Sequence, residues 1–190
     1  MEKEELVKKI VDVEWGMFQA VENIGGRAAC QDDKSTFYIL RSSQFLAWDI
    51  PALQNYYGDL AHAQSRGDNL AALKYAYMMR ETDPEEYEKF KERLPAVPEI
   101  NMEIIEALIP IHLLWTKEMY DATGGGTREL TSDENTAEGT SYETYLRGEL
   151  MTYSLKTLQA YENLVNVMVK HGRNLSLEIA KNQMQLVGEY

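Results

Sequence analysis

Apolar residues recur every three or four positions along almost the whole chain, and no convincing run of alternating apolar residues interrupts them. That periodicity admits amphipathic helices and leaves no room for a sheet. The chain is therefore expected to be all-α, a single helical domain of about seven helices over residues 1–190. Val7, Ile10, Val11, Glu14, Trp15 and Phe18 mark the first helix. A second begins after Asp33 and carries Phe37, Leu40, Arg41, Gln44 and Trp48 along one side. Pro51 sits in the first turn of a third, which stops at Gly67, and Asn69 is placed to cap a fourth. Asp83-Pro84-Glu85-Glu86 is a start signal: a capping aspartate, proline at the first helical position, and glutamate three residues after the cap. A helix over about residues 98–120 contains Pro110, which is expected to bend it. Thr140 and Glu143 form a capping pattern before one long helix to about His171, and Asn174 can cap the last.

Such a length buries a core without covalent staples. The formal charge of −12 disfavours a nucleic-acid partner, whose affinity comes mainly from neutralised phosphates, and docking on anionic lipid. The start, MEKEELVKKI, lacks the apolar core of a signal peptide, and no run nears membrane-spanning length. One cysteine cannot form an internal disulfide, which fits a reducing compartment. These features predict a cytoplasmic protein with neither a nucleic-acid nor a membrane partner.

Sliding the chain by 105 residues aligns LQNYYGDLAHAQSRGDNL (53–70) with LQAYENLVNVMVKHGRNL (158–175). The same offset pairs Gln44 with Glu149, Phe45 with Leu150 and Trp48 with Tyr153. With a small shift, MFQA (17–20) meets MYDA (119–122), and each copy then enters a glycine-rich stretch with an arginine. The pattern predicts two repeats, residues 10–80 and 112–185, related by a pseudo-two-fold and sharing one core. The element G-x-N-L, in which glycine ends one helix and asparagine caps the next, has its own turn chemistry and accounts for part of the match.

Two segments break the helical pattern. Residues 121–140 run about twenty positions without periodicity, long enough for a flexible loop or a lid. Residues 23–33 hold two glycines, Arg27, Cys30, Asp32 and Asp33, and stand directly before the helix that carries Arg41, Gln44 and Trp48. A helix start favours an anion, arginine grips a carboxylate or phosphate with two parallel bonds, and aromatic rings supply a flat wall. Tyr145, Glu149 and Tyr153 form a second stripe at four-residue spacing. A glutamate desolvated among tyrosines suits proton transfer. Each residue also has a structural reading: Arg41 bonded to a helix end or to Glu14, the aromatics in the core, and Glu143 with Arg147 as a helix-surface ion pair. Cys30 reads as a nucleophile if its thiol is acidified, and otherwise as a small buried residue packing the loop.

Cofactor motifs are missing. The chain has no G-x-G-x-x-G after a strand, no phosphate-binding loop and no H-E-x-x-H. His62, His112 and His171 lack the Glu-x-x-His spacing of di-iron bundles, so no metal and no cofactor are expected.

VEWGMFQAVENIGGRAACQDDKSTFYILRSSQFLAW, SYETYLRGELMTYS and the late GRNL resemble a bacterial family catalogued as domain of unknown function 4125. The resemblance runs over nearly the whole chain, with E-W-x-M-F, N-x-G-G-R-A, C-Q-D, S-Q-F and E-T-Y-L-R-G-E-L all present; Gly16 stands where members usually carry a charged residue. It implies where a site would lie and supplies no chemistry.

The reading that follows is a metal-independent protein binding a small polar or anionic metabolite, and whether it is an enzyme stays open. Asn23, Arg27, Gln31, Arg41, Gln44, Trp48, Tyr145 and Tyr153 would bind the ligand, with Arg41 holding its anion. Glu149 or Asp32 would move protons. The alternative is a non-catalytic helical interaction module, with a protein partner or a second copy, in which the polar stretches are structural.

Overall fold

The computed structural model describes residues 2–22, 26–126, 128–136 and 139–189. Among these residues every regular element is helical, and no helix is long and apolar enough to cross a membrane. The α-helices are α1 (Lys3–Gln19), α2 (Lys34–Leu46), α3 (Ile50–Arg66), α4 (Leu70–Thr82), α5 (Pro84–Phe90), α6 (Glu99–Thr123), α7 (Tyr142–Leu150), α8 (Leu155–Lys170) and α9 (Leu175–Glu189). Nine rather than about seven are present among the described residues. The long helix expected up to His171 is two helices, because the chain turns at 151–154 and Ser154 caps α8 by accepting from the Thr157 amide. The cap of α7 is Ser141, which accepts from the Thr144 amide, not Thr140. Other starts follow the capping chemistry: Asp33, Asn69, Asp83 and Asn174 each accept from the amide three residues on. Gly67 ends α3 at φ +74°, a conformation that costs glycine little.

The chain divides into two units, Met1–Ala72 with Glu178–Tyr190, and Leu73–Leu177. In the first, α1 packs on α2 and α3. Leu6, Val7, Ile10 and Val11 line its core together with Phe45, Trp48, Leu53, Tyr56 and Leu60. Each such side chain, moved fully out of water, is worth about 1.5–3 kcal/mol. Trp48 lies past the end of α2 and is 1 % exposed, with its ring 5.2 Å from that of Phe45. From α9, Asn182 donates to the Ser43 carbonyl at 3.0 Å.

In the second unit α6 packs on α7 and α8, burying Ile105, Leu108 and Ile109 with Leu150, Leu158, Val165 and Met168. α6 continues through Pro110. Gly148 of α7 lies against α4, where a Cβ would stand 2.5 Å from Met78 Cγ and 3.1 Å from the Lys74 carbonyl oxygen. The missing side chain is what lets the two helices approach. Residues before α7 are stitched to its start: Glu129 and Leu130 carbonyls accept from the Tyr142 and Glu143 amides at 2.8 and 3.0 Å, and Asn135 bonds both Ser141 and Thr144.

Candidate functional site

In residues 26–33 of the first unit, Gln31 and Arg27 are bonded to the end of α1 and to the segment itself. Gln31 is 1 % exposed, donates from Nε2 to the Phe18 and Val21 carbonyls, and accepts from the Ala28 amide at 3.0 Å. Arg27 donates to the Gln31 carbonyl at 2.8 Å, to Gln19 and to Asp32. Asp32 and Cys30 are exposed, so the reading of Cys30 as a buried packing residue is corrected. Asn23 lies outside the described residues. An open depression of about 370 Å³ beside this loop is lined by Val21, Glu22, Gly26, Arg27 and Gln31.

Arg41 is engaged by Glu14, one of the two structural partners its sequence allowed, and by Gln44 on its own helix. Its Nε and Nη2 donate to the two oxygens of Glu14 at 2.7 and 2.6 Å, and its Nη1 donates to Gln44 at 2.8 Å. Tyr56 donates to Glu14 at 2.6 Å, and the guanidinium stands over the Phe45 ring. This bidentate pair is well buried, with side chains 16 % and 9 % exposed.

Glu149, Tyr145 and Tyr153 come together in the second unit, around a residue the sequence analysis missed. Lys74 of α4 donates to Glu149 Oε2 at 2.7 Å, and Tyr153 donates to Oε1 at 3.0 Å. The Lys74 ammonium also lies 3.7 Å from the centre of the Tyr145 ring, with the Arg128 guanidinium over the same ring at 4.4 Å. Tyr145 and Tyr75 hydroxyls are 3.2 Å apart. The Lys74 ammonium holds the Tyr145 phenol below the ordinary tyrosine range, against burial that raises it. Nearby Tyr142 is pushed up to about 12, chiefly by burial, and burial likewise raises Tyr161. Lys74 had a legible signal: it is the one charge inside the apolar run LAALKYAYMM. Arg128 had only its place as the arginine of the second glycine-rich stretch, in a segment without periodicity.

Elsewhere in this unit Arg147 binds Glu143 at 2.5 Å and also Glu106, and its side chain is only 11 % exposed, more buried than a helix-surface pair. His112 is 2 % exposed and stacks on Tyr161, whose hydroxyl is 3.1 Å from Nε2. Burial lowers the His112 imidazole from 6.5 to about 4. The unfolded chain therefore takes up a proton below pH 6.5 that the fold refuses until about pH 4, so stability falls as pH drops through that window and levels off beneath it. The loss attributable to His112 is up to about 3 kcal/mol, from 1.36 kcal/mol per pH unit. Denaturant melts at pH 7 and pH 4.5 measure it. His112→Gln is expected to flatten that difference, and an unchanged slope in the variant would refute the assignment.

Among the described residues no group of three or more His, Cys, Asp or Glu converges to hold a metal ion. The model of a family described as "Protein of unknown function (DUF4125)" matches residues 4–189. No curated protein and no solved structure matches the chain.

Proposed function

The chain belongs to the DUF4125 family, whose description assigns no chemistry, and from the geometry we propose that it binds a small anionic or polar metabolite at the Lys74–Glu149–Tyr145 cluster. The carrying observation is the ammonium of Lys74 held between a buried carboxylate and a tyrosine ring, with a second cation, Arg128, over that ring. Arg41 was expected to hold the ligand's anion, but its two parallel bonds go to Glu14. Exposed Arg128 takes that role here, with Lys74 beside the same Tyr145 ring. The protein is taken to be cytoplasmic and to act without metal. A thermal-shift screen with small carboxylates and phosphate esters tests the reading. A ligand at a hundred times its dissociation constant adds about 2.7 kcal/mol, and Arg128→Gln should weaken it. Stabilisation that survives both Arg128→Gln and loss of the Lys74–Glu149 pair would refute the site. If nothing in the screen stabilises the protein, the alternative gains: a non-catalytic interaction module. Its support is the half-buried ring cluster of Trp15, Phe18, Phe37 and Tyr38, in which Phe18 and Phe37 stack at 5.2 Å.

We also infer that the two halves arose by duplication. The buried residues of α1 are Leu6, Val7, Ile10, Val11, Glu14 and Met17, and each has a buried counterpart 98 positions on in α6. Those of α3 have buried counterparts 105 positions on in α8. Asn69 and Asn174, besides capping, donate to the Met17 and Trp115 carbonyls, again 98 apart. Helix-pair turns of opposite handedness at Gly67 and Gly172, on superposing the halves, would end this idea.

A further inference from the structure

We propose that Tyr145, rather than Glu149, is the group that takes and returns a proton at this site. The inference rests on the binding reading above and assigns a role within it. Glu149 is committed to Lys74 at 2.7 Å and to Tyr153 at 3.0 Å, both of which favour its ionised form and fix it in place. A carboxylate so held is a poor proton acceptor.

Tyr145 has the opposite surroundings. Two cations lie over its ring, Lys74 at 3.7 Å and Arg128 at 4.4 Å, and the Tyr75 hydroxyl, 3.2 Å from the phenol oxygen, can donate to a phenolate there. All three stabilise a phenolate, and burial of the ring, with Glu149 one turn along the same helix, opposes it. The positive charges outnumber that carboxylate, and the direction of the Tyr145 shift agrees. In the step itself, an acidic O–H or N–H of the ligand gives its proton to Tyr145 Oη. The electron pair of the broken bond stays on the ligand as a negative charge beside Lys74 and Arg128. That transfer turns the phenolate into the phenol, and the reverse transfer gives the proton back to the ligand and restores the phenolate. Lys74, Glu149 and Tyr75 are positioning residues in this scheme. A ligand that suits it carries an ionisable proton next to a carboxylate or phosphate.

The test needs no ligand. Ultraviolet difference titration of the intact protein follows all twelve tyrosines as they ionise. One phenol is expected to ionise ahead of the rest, and Tyr145→Phe should remove that early step. The double variant Lys74→Met/Glu149→Gln removes the pair without orphaning either charge, and it should return the step to the main group. Arg128→Gln, at an exposed side chain, should move it upward without disturbing the core, which keeps the test valid even if the core variants fold poorly. NMR of tyrosine labelled at the ring carbon bearing the hydroxyl reads the same step in the unaltered chain. An early step that survives Tyr145→Phe, or one indifferent to Arg128→Gln, overturns the proposal. A normal Tyr145 alongside a genuine ligand would sink this assignment alone, whereas an acidified Tyr145 with no ligand found would sink the binding reading alone.

Discussion

Replacing Arg41 with alanine is expected to cost about 3–5 kcal/mol of folding stability, a large share of the roughly 5–15 kcal/mol that holds a domain together. The carboxylate of Glu14 is 9 % exposed and receives two bonds from Arg41 and one from Tyr56. Without the guanidinium it stays a buried charge facing one phenol. That penalty, not the lost attraction, dominates the expected effect. A compensated variant separates the two: Glu14→Leu with Arg41→Met and Tyr56→Phe replaces the cluster by apolar side chains of similar size, and most of the lost stability should return. Denaturant unfolding measures both. A loss below about 1 kcal/mol for Arg41→Ala would mean that the pair contributes little and that Arg41 is kept for a ligand instead.

The periodic parts of the fold were legible; of the pairings, Glu143 with Arg147 and, as one of two readings, Arg41 with Glu14 could be read, and Lys74 with Glu149 could not. Capping chemistry is local, so Asp33, Asn69, Asp83 and Asn174 could be read from neighbouring residues. The turn at 151–154 was missed because MTYS is apolar enough to continue a helical stripe, and nothing in it but Ser154 marks a stop. Glu14 and Arg41 are 27 positions apart, and Lys74 and Glu149 are 75 apart. Periodicity can place each on a helix face but cannot say which faces meet. Tyr145 and Glu149 were readable as one face of α7 because they are four apart, whereas Tyr153 lies in the turn after α7 and reaches Glu149 from there. The partner cation of Glu149 lies on α4, one helix of many that might have covered it. Residues 26–33 show the reverse difficulty: a polar stretch reads as a site wall, yet Gln31 spends its amide on the Phe18 and Val21 carbonyls at the end of α1, and Arg27 donates to the Gln31 carbonyl. Polarity in a sequence does not reveal whether its partner is a ligand or the backbone.

Lys74→Met carries the other large effect, and its pH dependence is diagnostic. Lys74 and Glu149 side chains are 12 % and 10 % exposed, so removing the ammonium leaves a carboxylate in a poorly solvated place without its cation, with the Tyr153 hydroxyl still donating to it. The expected cost at pH 7 is again about 3–5 kcal/mol. Unlike the parent, this variant should recover part of that loss as pH falls. A buried carboxylate that has lost its counter-cation binds its proton more tightly in the fold than in the unfolded chain, so protonation favours folding and stability rises on acidification through that group. The unaltered protein moves the other way over the same range, because neutral His112 resists protonation inside the fold. Comparing the two chains at matched pH cancels the His112 contribution and isolates Glu149. Adding Glu149→Gln should remove the acid recovery and most of the loss together, since an amide needs no counter-charge. The spacing matters as much as the charge: Gly148 lets α4 close on α7, with the Lys74 carbonyl only 3.1 Å from where a Cβ would stand. If Lys74→Met were no less stable than the parent at pH 7, or showed no recovery in acid, Glu149 would not depend on Lys74 for its charge, and the cluster would lose its central pair.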